Sequence, residues 1–188
     1  MIKNIQEKHS LTNTCHLNIG CTENKVAFVF SCPGQDEEIA QKPVAGQTGK
    51  NLDALLVYLN RKNSTIFKYA NRYAYRITNA WNTVEFKSRT DRTEATLKEI
   101  STPMNISRVN DELKGIDIVI FFGIKAQRIE SMVDFNGTVL RTRHLSLQSL
   151  NQIRKDKNGI SLKNKDKGNT EKRLEVLAEE ILSQLDNI

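Results

Sequence analysis

The sequence predicts an α/β fold in which helices cover both faces of a short, mainly parallel sheet of four strands. Two apolar runs, residues 26–31 and 117–123, contain the β-branched and aromatic residues that are typical of buried strands. Runs without polar alternation indicate strands covered on both faces, as in parallel sheets. Helical patterns alternate with these strands, so the sequence predicts a three-layer α/β/α sandwich in one domain over residues 1–188.

The strands and helices follow from local patterns taken in order. The first strand ends at a Pro33-Gly34 break, and a polar acidic loop leads from it to a helix with leucines at helical spacing. A later helix begins at Pro103, where the missing N–H is tolerated. The predicted strands are residues 26–31, 73–80, 117–123 and 138–142. The predicted helices are residues 46–61, 66–72, 93–100, 103–114, 124–133 and 170–185.

Three segments do not follow this alternation. Residues 1–25 form a polar N-terminal segment, and residues 81–92 form an irregular polar and basic segment. Residues 154–173 are rich in Lys, Asn and Gly, which predicts a basic loop or hairpin. That basic segment is interpreted either as a DNA contact or as a solvated hairpin.

Composition narrows the class of protein. The chain of 188 residues has 38% hydrophobic and 27% charged residues and a net charge of +6, which is typical of a soluble globular protein with a mild preference for a polyanionic partner. No apolar run approaches the roughly 20 residues that cross a bilayer, and the N-terminus lacks the apolar core of a signal peptide. We therefore expect a cytoplasmic monomer without a membrane contact.

The cysteines predict neither disulfides nor a metal site. Their number, three, is odd, which disfavours a disulfide framework. Cys15, His16 and Cys21 lack the spacing of a zinc site, and no second pair of ligands follows them. We expect no metal and no cofactor.

A partial match to a nucleotide-binding P-loop is rejected. Residues 46–51 read GQTGKN, whereas a P-loop needs Gly, four residues, then Gly-Lys and a hydroxyl residue. Val44 stands where the first glycine belongs, and Asn51 replaces the hydroxyl that would hold magnesium.

Several short motifs resemble the uracil-DNA glycosylase superfamily, especially its family 4 type. PGQDEE at residues 33–38 and PVAGQTG at residues 43–49 resemble the P-G-x-x-E-D and P-F-V-G-x-A-G patterns, at the family's own separation. ITNA at residues 77–80 is similar to the second-strand motif, and HLSLQS at residues 144–149 to the H-P-S-P-L-S loop. With the strand and helix at residues 117–126, these motifs keep the family order over residues 26–151.

The resemblance implies a DNA N-glycosylase with the uracil-DNA glycosylase fold. Such an enzyme extrudes its target base from the helix into a pocket. By resemblance, Asn79 would read the edge of the base and His144 would donate a hydrogen bond to a base oxygen as negative charge develops there. The alternatives are a strand-end turn residue at 79 and a surface histidine at 144. The residues expected to contact phosphates and fill the vacated stack are Arg141, Arg143, Ser146, Leu147, Gln148 and Ser149.

The chain differs from the family at the residues that activate water. The acid or amide that precedes the first proline in the family is replaced by Ser31 and Cys32, which we expect to line the base pocket. Neither is a good general base as a neutral side chain. The nearest acids, Asp36 and Glu37, are the candidates for activating water, and the alternative is a solvated acidic loop.

The aromatic residue that stacks on uracil in the family is replaced by Val44, beside the small Ala45. A base–aromatic stack contributes roughly 1–3 kcal/mol, so its loss disfavours a small pyrimidine and leaves room for a bulkier base. The family 4 iron–sulfur cysteines are absent, which excludes a cluster. The family's leucine wedge aligns with Gln148, and Leu147 and Leu150 stand close to it in sequence.

These observations predict a DNA N-glycosylase that excises a non-standard or modified base and leaves an abasic site. One such target is a modified pyrimidine of phage DNA, such as glucosylated hydroxymethylcytosine, with a role in anti-phage defence. The alternatives are a conventional uracil-repair glycosylase and a catalytically inactive DNA-binding module of the same fold.

Overall fold

The computed structural model describes residues 11–163 and 168–187, in which four strands form one sheet. The strands are β1 (Val26–Phe30), β2 (Arg76–Asn79), β3 (Ile118–Phe122) and β4 (Thr138–Thr142). Their order across the sheet is β2-β1-β3-β4, and every pair is parallel. The predicted sheet is confirmed, and it is parallel throughout rather than mainly parallel.

The helices alternate with the strands along the chain. Single 3₁₀ turns occur at Arg72–Ala74 and Glu130–Met132. In chain order the helices are α1 (Gln35–Ala40), α2 (Gln47–Lys62), α3 (Lys87–Thr90), α4 (Leu97–Ile100), α5 (Pro103–Leu113), α6 (Ile124–Gln127), α7 (Leu147–Leu150) and α8 (Asn169–Asp186).

Each face of the sheet has its own hydrophobic core. Phe28 of β1 packs with the leucines of α2 and α8 on one face, whereas Val29 packs with α5 and α6 on the other. Both residues are almost completely buried, as expected for alternating positions of a strand covered on both faces. The three-layer α/β/α arrangement is therefore confirmed.

The acidic loop predicted after β1 is instead a short helix, α1. The Gly34 N–H donates to Glu37 Oε2 at 2.9 Å, which stabilises the first turn. Three acidic residues in that turn also interact favourably with the N-terminal end of the helix dipole. The loop prediction was wrong because these local interactions compensate for the low apolar content of α1.

The helix predicted at residues 66–72 is absent, and β2 begins three residues later than predicted. Asn63 Oδ1 accepts the Ile66 N–H, and Asn71 Oδ1 accepts the Tyr73 N–H. The Arg72 N–H is bound by Asp53 Oδ1 of α2 at 2.9 Å. These side-chain acceptors compete with helical hydrogen bonding and leave a turn that ends in the 3₁₀ turn.

Two further predicted helices are shorter in the structure. The prediction for residues 93–100 is correct only for α4, because Thr96 caps the helix and accepts the Glu99 N–H on its Oγ1. The single helix predicted at residues 124–133 is two shorter elements in the structure, α6 and the 3₁₀ turn at Glu130–Met132. Conversely, the predicted loop after β4 contains α7, which Ser146 caps by accepting the Ser149 N–H at 3.3 Å.

The described part of the basic segment forms a hairpin and then joins α8. Lys155 and Ser161 form an antiparallel bridge around Gly159, whose φ is +80°. Arg173 belongs to α8 and is 1% exposed, with its guanidinium donating to the Ile153 carbonyl at 3.1 Å. The prediction of a loop up to residue 173 is wrong at that end, since a buried cation cannot contact solvent or DNA. Residues 164–167 lie outside the described part.

The described part of the N-terminal segment packs along β2. Asn18 exchanges two backbone hydrogen bonds with Ile77, each 2.9 Å long, and His16 Nε2 lies 3.1 Å from Glu112 Oε1 of α5. Residues 1–10 lie outside the described part. Within residues 11–163 and 168–187, the helices are too short or too polar to cross a membrane.

Candidate active site

A cavity of about 320 Å³ lies at the carboxyl edge of the sheet, and we call it the inner cavity. In parallel α/β sheets this edge is where ligands bind, because the strand ends deliver the loops there. The parallel register sets Phe30 beside Asn79 at the ends of β1 and β2. The predicted site residues that line the inner cavity are Ser31, Cys32, Glu37, Val44, Asn79 and His144.

A larger cleft, of about 940 Å³, lies at the opposite edge of the sheet and includes Asp117 and Gly137. Size alone would favour it as a binding site. We assign the site to the inner cavity because that cavity brings together an unpartnered buried amide and side chains with shifted pKa values.

Asn79 ends β2 and turns its side chain to the inner cavity. It is 3% exposed, and its Oδ1 has no hydrogen-bond partner among the described residues. The backbone carbonyl of Asn79 accepts from the Arg108 guanidinium at 2.9 Å, which holds the strand end in place. A buried acceptor without a partner costs about 1–3 kcal/mol, and Asn79 Oδ1 is one of four such side-chain atoms among the described residues, with Arg72 Nε, Trp81 Nε1 and Thr142 Oγ1.

His144 follows β4 and is held as a neutral hydrogen-bond donor. The Ser146 N–H donates to His144 Nδ1 at 3.0 Å, which places the proton of the neutral ring on Nε2. The ring meets Phe30 edge to face, with centroids 6.0 Å apart. Burial lowers the pKa of His144 below its ordinary value of 6.5, although the charge of Glu37 opposes this shift. The neutral form with a free Nε2–H is therefore favoured at neutral pH.

Of the two acids predicted to activate water, one lines the inner cavity and the other does not. Glu37 lines the inner cavity, but its Oε1 accepts the Ala45 N–H at 2.8 Å and its Oε2 accepts the Gly34 N–H at 2.9 Å. It therefore clamps the two halves of the loop between β1 and α2. Asp36 is exposed, lies against Gly46 and is not among the cavity residues. The structure thus leaves neither acid well placed as a base.

Ser31 and Cys32 leave β1 and form the wall beside segment 93–94. Cys32 Sγ donates to the Thr93 carbonyl at 3.4 Å. Burial, together with the nearby charge of Glu94, raises the pKa of the Cys32 thiol to about 12, so it is protonated and not a nucleophile. The Ser31 hydroxyl donates to Glu94 Oε1 at 3.4 Å.

The three cysteines are free thiols. Across residues 11–163 and 168–187, no group of three or more His, Cys, Asp and Glu side chains could hold a metal ion.

Val44 lies in a tight turn against the inner cavity. Its φ is +52°, an outlier for a β-branched residue, and it is 5% exposed within the core that contains Phe30. Gly49, on the first turn of α2, faces the Val44 carbonyl so closely that a Cβ would overlap the oxygen. The strained turn is thus kept in place by the packing around it.

A second cavity, of about 610 Å³, adjoins the first, and we call it the outer cavity. Ser31, Glu94 and His144 line both cavities and so form a shared wall. The outer cavity adds the cations Lys125 and Arg143. It also collects Gln148 and Ser149 of the predicted DNA contacts.

The wedge candidates differ in exposure. Leu147 begins α7 and is 45% exposed, and the neighbouring Gln148 is exposed as well. Leu150 is completely buried in the core, which excludes it as a wedge. Ser146, which caps α7, has its hydroxyl engaged in that cap.

Arg141 is separated from the other predicted DNA contacts. Its guanidinium forms an ion pair with Glu130, and its backbone N–H donates to Gln184 Oε1 of α8 at 2.9 Å. It lines neither cavity. The structure therefore brings Arg143, but not Arg141, to the candidate site.

Sequence reasoning missed the wall supplied by residues 85–94. Glu85, Phe86, Thr93 and Glu94 all line the inner cavity, although residues 81–92 read as an irregular polar segment and residues 93–100 as a helix. Phe86 contributes an aromatic ring to the inner cavity, where Val44 replaces the stacking aromatic residue of the similar family. A phenylalanine in a polar run was the available signal.

Ion pairs hold this wall against the rest of the fold. The guanidinium of Arg92 binds both Glu85 and Glu99, and Arg89 pairs with Glu38 of α1. Arg89 and Glu38 belong to different elements, and Arg92 lies seven residues from each of Glu85 and Glu99, which is not the three- or four-residue spacing of a helical pair. The wall is therefore a product of tertiary structure.

No protein-family model matches the chain, and no curated protein sequence matches it. The class of protein is therefore argued from the two cavities and from the motifs of the sequence.

Proposed function

We propose that the chain is a DNA N-glycosylase that receives a flipped base in the inner cavity and hydrolyses the base–sugar bond. The observation that carries this proposal is the pairing of Asn79 with His144 in one cavity. Asn79 offers a buried acceptor without a partner, and His144 offers a neutral Nε2–H. Their complementary groups suit the hydrogen-bonding edge of a nucleobase.

The inner cavity supplies the surfaces that a flipped base needs. Phe86 provides an aromatic wall, and stacking on such a ring contributes roughly 1–3 kcal/mol per base, whereas Phe30 is 3% exposed and already stacks on Phe122. The volume of about 320 Å³ lies at the lower end of the range for small-molecule sites, roughly 300–1,000 Å³. The replacement of the similar family's stacking aromatic residue by Val44 in this lining supports a base other than plain uracil.

The outer cavity is placed to hold the DNA backbone. Lys125 and Arg143 supply positive charge for phosphates, and the exposed Leu147 and Gln148 can enter the space that the base vacates. With the base in one cavity and the backbone in the other, the scissile bond lies at the shared wall. His144 Nε2–H would there stabilise negative charge on a base oxygen as the bond breaks.

The proposed substrate is a modified base in DNA, and the proposed use is defence against phage. Glucosylated hydroxymethylcytosine is one such base. We further propose that the protein acts as a cytoplasmic monomer without a cofactor. A conventional uracil-repair activity is the nearest alternative.

Base release from defined oligonucleotides tests the proposal. Duplex and single-stranded DNA containing uracil, hypoxanthine or glucosylated hydroxymethylcytosine is incubated with the protein and then treated with alkali, which cleaves abasic sites. We expect release of the modified base. We also expect roughly 10²–10³-fold slower release by Asn79→Ala and His144→Ala, because each loses a contact to the reacting base.

Asn110→Ala is the matched control. Asn110 lines the cleft at the opposite edge of the sheet, so this variant should release base at the wild-type rate. Release of uracil alone would favour the repair alternative. The glycosylase proposal fails if no base is released from any substrate.

A DNA-binding module without catalysis is a second candidate, favoured by one observation. Ser31 and Cys32 stand where the similar enzymes carry an acid or amide, and the Cys32 thiol is protonated. Such a module would bind DNA with strong salt dependence and release no base. The same oligonucleotide assay, run beside a binding measurement, separates the two candidates.

A further inference from the structure

Four carboxylates stand in or next to the inner cavity, and three of them are unsuited to activate water there. Asp36 is exposed and outside the cavity lining. Glu37 clamps two backbone N–H groups, one on each oxygen. Glu85 is 3% exposed and paired with Arg92 through both of its oxygens. Glu37 and Glu85 are therefore engaged in holding the fold together, and Asp36 lies outside the cavity.

Glu94, the fourth carboxylate, lies in the wall shared by the two cavities. It makes no ion pair with the described residues, and its hydrogen bond comes from the neutral Ser31 hydroxyl at 3.4 Å. Lys125 and Arg128 act on it only through longer-range charge. Burial raises the pKa of Glu94 above its ordinary value, as expected for a carboxylate that lacks a close cation.

We infer that Glu94 is the carboxylate that orients and deprotonates the attacking water at the shared wall. The inference rests on the proposed glycosylase function and names a residue that the motifs do not contain. Ser31 would act as a positioning residue, because its hydroxyl fixes one oxygen of the carboxylate. The acid missing from the end of β1 is thus supplied by a different segment of the chain.

In the proposed hydrolysis, the atoms and charges balance with water and the side chains of the site. The bond between the sugar C1′ and the base nitrogen breaks, and its electron pair leaves with the base. The water oxygen bonds to C1′, and one water proton passes to Glu94. The departed base anion, stabilised by His144, takes up a proton from solvent, and Glu94 returns its proton to solvent. The carboxylate charge would also stabilise the positive charge that develops on the sugar.

Glu94→Gln tests this role, because the amide keeps the shape of the side chain but cannot accept the proton. In single-turnover release of the base, we expect a loss of roughly 10²–10⁴-fold with the Kd for DNA essentially unchanged. Glu130→Gln, which removes a carboxylate outside both cavities, is the control and should keep the wild-type rate. A full rate for Glu94→Gln, or a comparable loss only in Glu37→Gln, would overturn the inference.

A binding measurement separates this inference from the function on which it rests. DNA with a pyrrolidine abasic-site analogue carries a cation near the position of C1′, whereas the tetrahydrofuran analogue is neutral. The wild type should prefer the pyrrolidine DNA by roughly tenfold, and Glu94→Gln should lose that preference. A preference kept by Glu94→Gln refutes the placement of Glu94. Failure of the wild type to release any base refutes the glycosylase proposal instead.

Discussion

At the scale of single residues, the candidate site contains groups that do not stabilise the fold. Asn79 keeps a buried oxygen without a partner, and Val44 keeps a φ of +52°. Glu94 keeps a carboxylate in a position where burial raises its pKa above the ordinary value of 4.5. Such positions cluster at functional sites, which is the basis for proposing that a ligand or a reaction uses them here.

The raised pKa of Glu94 gives a prediction about stability. For a group whose folded pKa is raised, the contribution to stability is fully present below the ordinary value and is lost as the pH rises through the folded pKa. Ionised Glu94 therefore destabilises the fold at pH 7. Glu94→Gln should raise Tm by up to a few degrees at pH 7 and by nothing at pH 4, measured by calorimetry. A lower Tm at pH 7 would show that Lys125 and Arg128 make the charge stabilising.

At the scale of elements, the turn before α2 depends on a close backbone approach. Gly49→Ala would place a Cβ on the Val44 carbonyl oxygen, so we expect a loss of about 3 kcal/mol or more in the free energy of unfolding. Gly159→Ala is the control, because its Cβ meets no atom within 4 Å and only the φ of +80° opposes it, at about 1 kcal/mol. Urea unfolding of both variants measures the difference, and equal losses would contradict the crowding argument.

The wall at residues 85–94 depends on the ion pairs of Arg92. Arg92→Gln removes the links to Glu85 and Glu99, so the wall should loosen although the cores remain intact. We expect base release to fall by roughly 10²-fold, because misplaced catalytic groups lose that much. Hydrogen exchange should quicken in residues 85–94. Lys114→Gln, which removes an exposed pair with Asp111 far from the site, should change neither quantity.

At the scale of the whole molecule, the net charge of +6 favours a polyanionic partner, and two basic regions are candidates for contacting DNA. Arg143 lies in the outer cavity, whereas Lys155 lies in the exposed hairpin of the basic segment. If DNA occupies the outer cavity, Arg143→Gln should weaken binding and reduce the slope of log K against log salt by about 1. Lys155→Gln should leave both unchanged. The reverse result would transfer the DNA contact to the hairpin.

Much of the architecture was predictable from local patterns. Strand β4 coincides with its predicted bounds, and β1, β3, α2, α5 and α8 lie within one or two residues of theirs. Their apolar residues bury whole side chains on one or both faces, so the hydrophobic pattern decides the structure. Short helices without an apolar pattern, such as α1 and α7, were missed because side-chain hydrogen bonds at their first turns stabilise them.

Some residues of the candidate site could likewise be predicted from local patterns, and others could not. The sequence by itself determined the sheet, the strand ends and the motif residues Asn79 and His144, because each follows directly from an element whose apolar run is visible. Only the tertiary structure decided that Glu94 and Phe86 share a cavity with them, that Arg141 does not, and that Arg173 is buried. Those outcomes depend on ion pairs between side chains and on the packing of separate segments against each other. Local sequence patterns do not predict these interactions.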